Sequence, residues 1–123
     1  MPYHILVVDD NDLNLVLLAK ILELEGYQVT MAHSGLEAIQ SAEQKMPDLA
    51  LLDVMMPEMN GYELCQKMRQ PPFSTEMPIV MLTAMSSDGE RAQALEAGAN
   101  DIWSKPFDME IFRRRIGELL KKD

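Results

Sequence analysis

Asp53 closes the apolar run "LALLD" (49–53), where a carboxylate is poorly solvated unless something nearby makes use of its charge. An earlier run, "ILVVDD" (5–10), ends on two acids, Asp9 and Asp10. Two later runs end on groups of complementary chemistry, "IVMLT" on the hydroxyl of Thr83 and "DIWSK" on the ammonium of Lys105. Three carboxylates brought together repel: at about 5 Å and an effective dielectric of about 20, each charged pair costs about 3 kcal/mol before desolvation. Such a cluster persists only if a cation neutralises it or a proton is taken up. Carboxylate and carbonyl oxygens suit a hard divalent ion such as Mg2+, which keeps several waters and binds phosphate oxygens. With Lys105 adding a fixed positive charge and Thr83 a donor, the set describes a site for a small, highly charged oxyanion. Asp53 is the nucleophile that such a site offers to phosphorus, giving an aspartyl phosphate. Metal and lysine would stabilise charge on the transferring group.

These residues can meet only if the runs that carry them lie side by side. "ILVV" (5–8), "YQVTMA" (27–32), "LALL" (49–52), "IVML" (79–82) and "DIWS" (101–104) read as strands, and the first three begin 22 residues apart. That interval leaves room for one helix between each pair, the mark of βαβ units. Leu15, Leu17, Leu18, Ile21, Leu22 and Leu24 make a wide apolar stripe at helical spacing, ended by Gly26. Ser34 with Glu37 is a capping-box pattern ahead of Ala38, Ile39, Ala42 and Met46, and Asn60 with Glu63 is a weaker one. Asp12, Asp88 and Asp108 are the expected caps of the first, fourth and fifth helices. The last helix turns Ile111, Phe112, Ile116, Leu119 and Leu120 inward, with Lys121 and Lys122 at its negative end. "RQPPFSTEMP" (69–78) carries three prolines and reads as an extended link. The expected architecture is a parallel five-stranded sheet with helices on both faces. In open sheets of this kind the functional crevice lies at the carboxyl ends of the strands, where all five polar residues fall. A single Asp after a strand is ordinarily a turn or cap residue. Convergence from four strand ends is what argues for chemistry.

Composition narrows the partners. The chain has 123 residues, 47% of them hydrophobic and 25% charged, which suits one globular domain spanning 1–123. A net charge of −9 argues against direct nucleic-acid binding and against an anionic membrane surface. No apolar run approaches membrane-spanning length, and "MPYHILVVDD" meets acid too soon for a signal peptide. One cysteine, Cys65, cannot form an internal disulfide, so a cytoplasmic location is expected. His4 and His33 show no metal-ligand spacing, and the eleven methionines read mainly as flexible core filler.

Four stretches in order, "ILVVDDNDLN", "DVMMPEMNGYE", "PIVMLTAM" and "SKPF", make the chain resemble the receiver domains of bacterial two-component response regulators over essentially its whole length. The resemblance implies a flavodoxin-like, doubly wound α/β fold with strand order 2-1-3-4-5 and five helices. It implies that Asp53 is both the phosphoacceptor and a Mg2+ ligand, Asp10 a direct Mg2+ ligand and Asp9 a more remote one, with the Met55 carbonyl completing the protein's share of coordination. Lys105 would pair with a phosphoryl oxygen and Thr83 would swing to bond another, with Ala84 small enough to leave room. Pro57 and Gly61 would shape the loop after Asp53, and Lys105–Pro106 would be a cis peptide bond. Implied partners are a histidine kinase or histidine phosphotransfer protein, and an unknown downstream protein or effector domain controlled through the surface of the fourth helix, fifth strand and fifth helix. The only catalysis implied is phosphotransfer to and from the chain itself. One departure stands out: three residues before the lysine, where the family often has Tyr or Phe, this chain has Ile102, and Trp103 points to the other face.

Other classes fit less well. A phosphatase working through an aspartyl phosphate needs an acid two residues after the nucleophile, where this chain has Met55. A flavin carrier of the same topology needs a loop rich in Ser, Thr and Gly where this one has Asp9 and Asp10. A docking module that is never phosphorylated would not need Asp10, Asp53, Thr83 and Lys105 together.

Overall fold

A computed structural model describes residues 2–71, 73, 76–85 and 87–120. Strands and helices alternate: β1 (His4–Val8), α1 (Asp12–Leu24), β2 (Gln28–Ala32), α2 (Gly35–Gln44), β3 (Leu49–Asp53), α3 (Gly61–Met68), β4 (Ile79–Thr83), α4 (Asp88–Ala97), β5 (Asp101–Ser104) and α5 (Met109–Leu120). The sheet is parallel throughout, in the order β2-β1-β3-β4-β5. This is the flavodoxin-like order expected above, and the point where strand order reverses lies between β1 and β3.

Alternation along each strand splits the core into two layers. Ile5, Val7, Leu49, Leu51, Val80, Leu82 and Trp103 pack on α1 and α5. Leu6, Val8, Ala50, Leu52, Ile79, Met81 and Ile102 face α2, α3 and α4. β1, β3 and β4 are buried on both sides, which is why they read as unbroken apolar runs rather than alternating ones. Cys65 is fully buried in the second layer, and burial pushes its thiol up to about 11.

Helix starts differ from expectation in instructive ways. Asn11, not Asp12, caps α1, its side chain accepting from the Asn14 N–H at 2.9 Å. The turn before it is set by Asp9, whose Oδ1 accepts from the Asn11 N–H at 2.9 Å, so the cap falls one residue early. Ser87, not Asp88, caps α4 by accepting from the Glu90 N–H, and Asp88 becomes first-turn charge favourable to the dipole. Asp108 does accept from the Glu110 and Ile111 N–H groups. The complete capping box belongs to Asn60 and Glu63, each side chain bonding the other's backbone. Ser34 accepts from the Glu37 N–H, but the Glu37 carboxylate turns to His33 instead.

The apolar stripe of α1 is narrower than its sequence pattern. Leu15, Leu18 and Leu22 are buried, whereas Leu17 and Leu24 are exposed. On α5, Ile111 is partly exposed while Phe112, Ile116 and Leu120 are buried. The proline-rich link begins with a turn, the Phe73 N–H donating to the Gln70 carbonyl; Pro72, Ser74 and Thr75 lie outside the described residues, as do Lys121 and Lys122. At the head of the link, Arg69 at the end of α3 donates to the Gly98 carbonyl (2.8 Å), the Met77 carbonyl (2.6 Å) and Asn100 Oδ1 (3.0 Å). Gly98 ends α4 in the left-handed region at φ +105°, and a Cβ there would sit 2.9 Å from Arg69 Cγ.

The two histidines occupy opposite electrostatic environments. His33 bridges the starts of α1 and α2, 2.8 Å from Asp12 and 3.3 Å from Glu37, and the hydrogen bond to Glu37, helped by Asp12, raises its pKa above the ordinary 6.5. Burial, helped by the nearby Lys45, lowers that of His4. The His33 pairing therefore contributes stability that is complete below pH 6.5 and is lost as pH rises through the elevated folded value. An NMR titration should place the His33 midpoint above 6.5 and the His4 midpoint below it; midpoints in the reverse order would contradict both environments.

Candidate functional site

The strand ends that carry the polar residues are fixed by backbone hydrogen bonds. The Asp9 N–H donates to Ala32 O (3.1 Å), Val54 N–H to Leu82 O (3.0 Å), and Lys105 N–H to Thr83 O (2.7 Å). Sheet pairing thus runs past the last regular residue of each strand and holds Asp9, Asp53 and Lys105 in register. Asp9 and Asp53 straddle the β1/β3 reversal point. The loop after Asp53 is drawn tight where the Gly61 N–H donates to Val54 O (3.0 Å). Any Cβ on Gly61 would collide with the Asp53 carbonyl and with Met81 Cε, so α3 can begin this close to the site only on a glycine.

Parity decides which side chains meet. Asp9, Asp53 and Lys105 continue the alternation of Val7, Leu51 and Trp103, so all three belong to the α1/α5 side. The Lys105 Nζ lies 3.1 Å from Asp53 Oδ1 and 3.5 Å from Asp9 Oδ2. The Lys105–Pro106 peptide bond is cis. Asp9, Asp10 and Asp53 each present a carboxylate oxygen, all within 4.8 Å of one another, with Asp9 and Asp53 buried and Asp10 exposed. Oxygen-only donors, crowded like charges and one open side fit a hard divalent ion that retains water. Burial raises the pKa of Asp53; the Lys105 hydrogen bond opposes this, and the charges of Asp9 and Asp10 reinforce it.

Thr83 is not in this cluster. It continues the alternation of Ile79 and Met81 on the α3/α4 side, buried, with its hydroxyl bonded to Glu90 Oε1 (3.1 Å) and to the backbone of Met85. The contact of Glu90 with Thr83 was not legible: in sequence Glu90 is one more acid in the first turn of a helix. Met55 and Met85, two residues past Asp53 and Thr83, are 76% and 70% exposed, so these two methionines are surface rather than core filler. Ala84 is exposed beside them.

Beside the acids a groove of about 350 Å³ runs from Asp9 and Lys105 past Leu17, Leu18 and Ile21 of α1 to Phe107. On the other flank, Asp101 ties three elements together. It accepts from Arg91 of α4 (2.7 Å) and from the Trp103 indole (3.0 Å), and Arg115 of α5 lies 5.6 Å from the Trp103 ring centre. Burial works against its ionisation, but bonds from the Ile102 N–H, Trp103 and Arg91 hold the Asp101 carboxyl below its ordinary value. Trp103 meets Phe112 edge-on at 5.8 Å, while Ile102 is buried in the opposite layer, so no aromatic gate exists at that position.

The family model of the response regulator receiver domain matches residues 5–117. Among curated proteins, the chain is 40% identical over 121 residues to the response regulator PleD of Caulobacter vibrioides, covering 98% of this chain and 27% of that protein. It is 40% identical over 122 residues to the response regulator MprA of a Mycobacterium species, covering 99% of this chain and 52% of that one. The chain therefore spans about a quarter to a half of the length of these relatives. Among solved structures, a putative response regulator from Chloroflexus aurantiacus superposes with a TM-score of 0.93 at 38% identity, covering 99% of this chain and all of that one. The chemotaxis protein CheY4 of Vibrio cholerae gives 0.93 at 29%, covering 98% and 100%. The BeF3-activated receiver domain of DrrB gives 0.89 at 30%, covering 99% and 100%.

A carboxyl whose folded pKa lies above its ordinary 3.8 loses stability for the fold as pH rises through the folded value. Asp53→Asn should therefore melt about 4 °C higher than the parent at pH 7 without divalent ions, roughly 1 kcal/mol for a domain of this size. The gap should close as pH falls towards 4. Differential scanning calorimetry across pH checks this; a variant that melts lower at pH 7 contradicts the account.

Proposed function

This chain belongs to the response regulator receiver domain family, and on that premise we propose that it is a phosphoacceptor switch of a two-component system, with Asp53 as the acceptor. The observation that carries the reading is a buried carboxylate 3.1 Å from an ammonium, with two more carboxylates at hand. Residues 1–123 act as one receiver domain. Asp10, Asp53 and the Met55 carbonyl would hold Mg2+, with Asp9 as a more remote ligand. When bound, the ion neutralises the acids and the charge on the transferring phosphoryl group.

The donor is a phosphohistidine on a kinase or a phosphotransfer protein. An Asp53 carboxylate oxygen attacks phosphorus, the O–P bond forms, and the P–N bond breaks with its electron pair returning to the imidazole. Lys105, already among the acids, shifts its bond from the carboxylate to a phosphoryl oxygen. Thr83 turns its hydroxyl to another. The exposed Leu17, which lines the groove, and the exposed Leu13 earlier on the same helix offer apolar surface to the approaching donor. The output is a changed α4–β5–α5 surface, where Arg91, Asp101, Trp103 and Arg115 already interlock. It controls a partner or an attached effector domain in the cytoplasm, without direct nucleic-acid or membrane contact. No metabolite is turned over.

Neither Met55 nor Met85 can orient an attacking water as an amide or carboxylate does, and both are exposed two residues past Asp53 and Thr83. The phosphorylated state is accordingly long-lived.

With Mg2+ and acetyl phosphate, the intact mass should rise by one phosphoryl group, and Asp53→Asn should show no gain; equal labelling of that variant would remove Asp53 from the role. Once labelled, the parent should lose phosphate roughly tenfold more slowly than a Met55→Asn, Met85→Glu variant, the scale of one positioned water. Equal decay rates would make the two methionines bystanders.

A further inference from the structure

The Thr83 hydroxyl has one proton and two acceptors within reach. Glu90 Oε1 lies at 3.1 Å and Met85 O at 3.2 Å, while the Met85 N–H donates back to the same oxygen at 3.2 Å. An ionised carboxylate outcompetes a carbonyl for that proton. Glu90 is itself held in place. Its backbone N–H is capped by Ser87, and its neighbour Arg91 is anchored to Asp101 on β5. Thr83 is buried and lies on the α3/α4 side of the sheet, whereas Asp53 and Lys105 lie on the α1/α5 side. A hydroxyl so placed cannot serve a phosphoryl group on Asp53 and Glu90 at once.

We propose that Glu90 is a latch: in the resting protein its carboxylate holds the Thr83 hydroxyl, and this bond must break before the hydroxyl can reach a phosphoryl oxygen on Asp53. Glu90 is thus a positioning residue that acts through Thr83 and sets how strongly the resting state resists activation. The same bond joins β4 to the first turn of α4, so its release frees that turn. The inference rests on the phosphoacceptor reading for its functional arm and on the resting geometry alone for its structural arm.

Two measurements separate those arms. Urea unfolding without Mg2+ or anion reads the bond itself: Glu90→Gln should lower the midpoint more in the parent than in a Thr83→Val background. Equal shifts in both backgrounds overturn the latch, whatever the chain binds. Calorimetric titration with beryllium fluoride in Mg2+ reads the function. Glu90→Gln should bind roughly fivefold tighter than the parent, the difference between an ionised and a neutral acceptor. The gain should vanish in the Thr83→Val background. A loss of affinity, or none of the expected gain, overturns the latch, because a purely structural role weakens both stability and binding. A gain that persists without the hydroxyl overturns it too, since it would come from charge repulsion at a distance. Failure of the parent to bind beryllium fluoride at all would strike the phosphoacceptor reading, and the urea cycle would still decide the latch.

Discussion

Carboxylates forced together where water is scarce are the constraint on which the rest of this molecule turns. Asp9 and Asp53 are buried at adjacent strand ends, and Asp10 completes a triad within 4.8 Å. Apolar β1 and β3 set the positions of these acids, because hydrophobic burial on both faces leaves those strands no freedom to retreat. Lys105 answers part of the charge from β5, across the width of two strands. A site in this condition is unsatisfied by construction. It gains from any added positive charge, and in the function proposed above a divalent ion would supply it.

The sheet that presents the acids also sorts them. Period-two alternation sends Asp9, Asp53 and Lys105 to one side and Thr83 to the other. The acid cluster and the Thr83 hydroxyl are thereby set on opposite sides of the sheet. On the α3/α4 side, Thr83 meets Glu90. Farther along, Arg91, Asp101, Trp103 and Arg115 stitch α4, β5 and α5 into one surface. Ile102 is fixed in the core, so no aromatic ring stands at that position, and in the switch proposed above any rearrangement falls to helix placement and polar contacts.

Much of this was legible in the residues. Doubly buried strands announce themselves as runs such as "ILVV" and "IVML", and the acids, threonine and lysine stand just past their ends, where an open parallel sheet collects its functional groups. Positions that depend on side-chain direction were not legible. Asn11 displaces Asp12 as a cap only because Asp9 folds the turn back on itself. Leu17 and Leu24 look like core at helical spacing, yet they face outward because α1 meets the sheet along the narrower line of Leu15, Leu18 and Leu22. Glu90 is indistinguishable in the sequence from the other acids of α4, since its importance arises from one rotamer reaching a hydroxyl seven positions earlier. Local patterning specifies elements; which polar atom finds which is settled by their assembly.

The three bonds of Arg69 bear on how α4 can travel. Its guanidinium grips the carbonyl of Gly98, the Met77 backbone and Asn100, so the far end of the helix is riveted to α3 and to the β4–β5 edge. The near end has a hydroxyl contact and an exposed Arg91–Asp101 pair, which is weak fastening by comparison. A rod clamped at one end and lightly pinned at the other pivots instead of sliding. Any displacement would therefore be largest at the end beside Thr83 and would shrink over the ten residues towards Gly98.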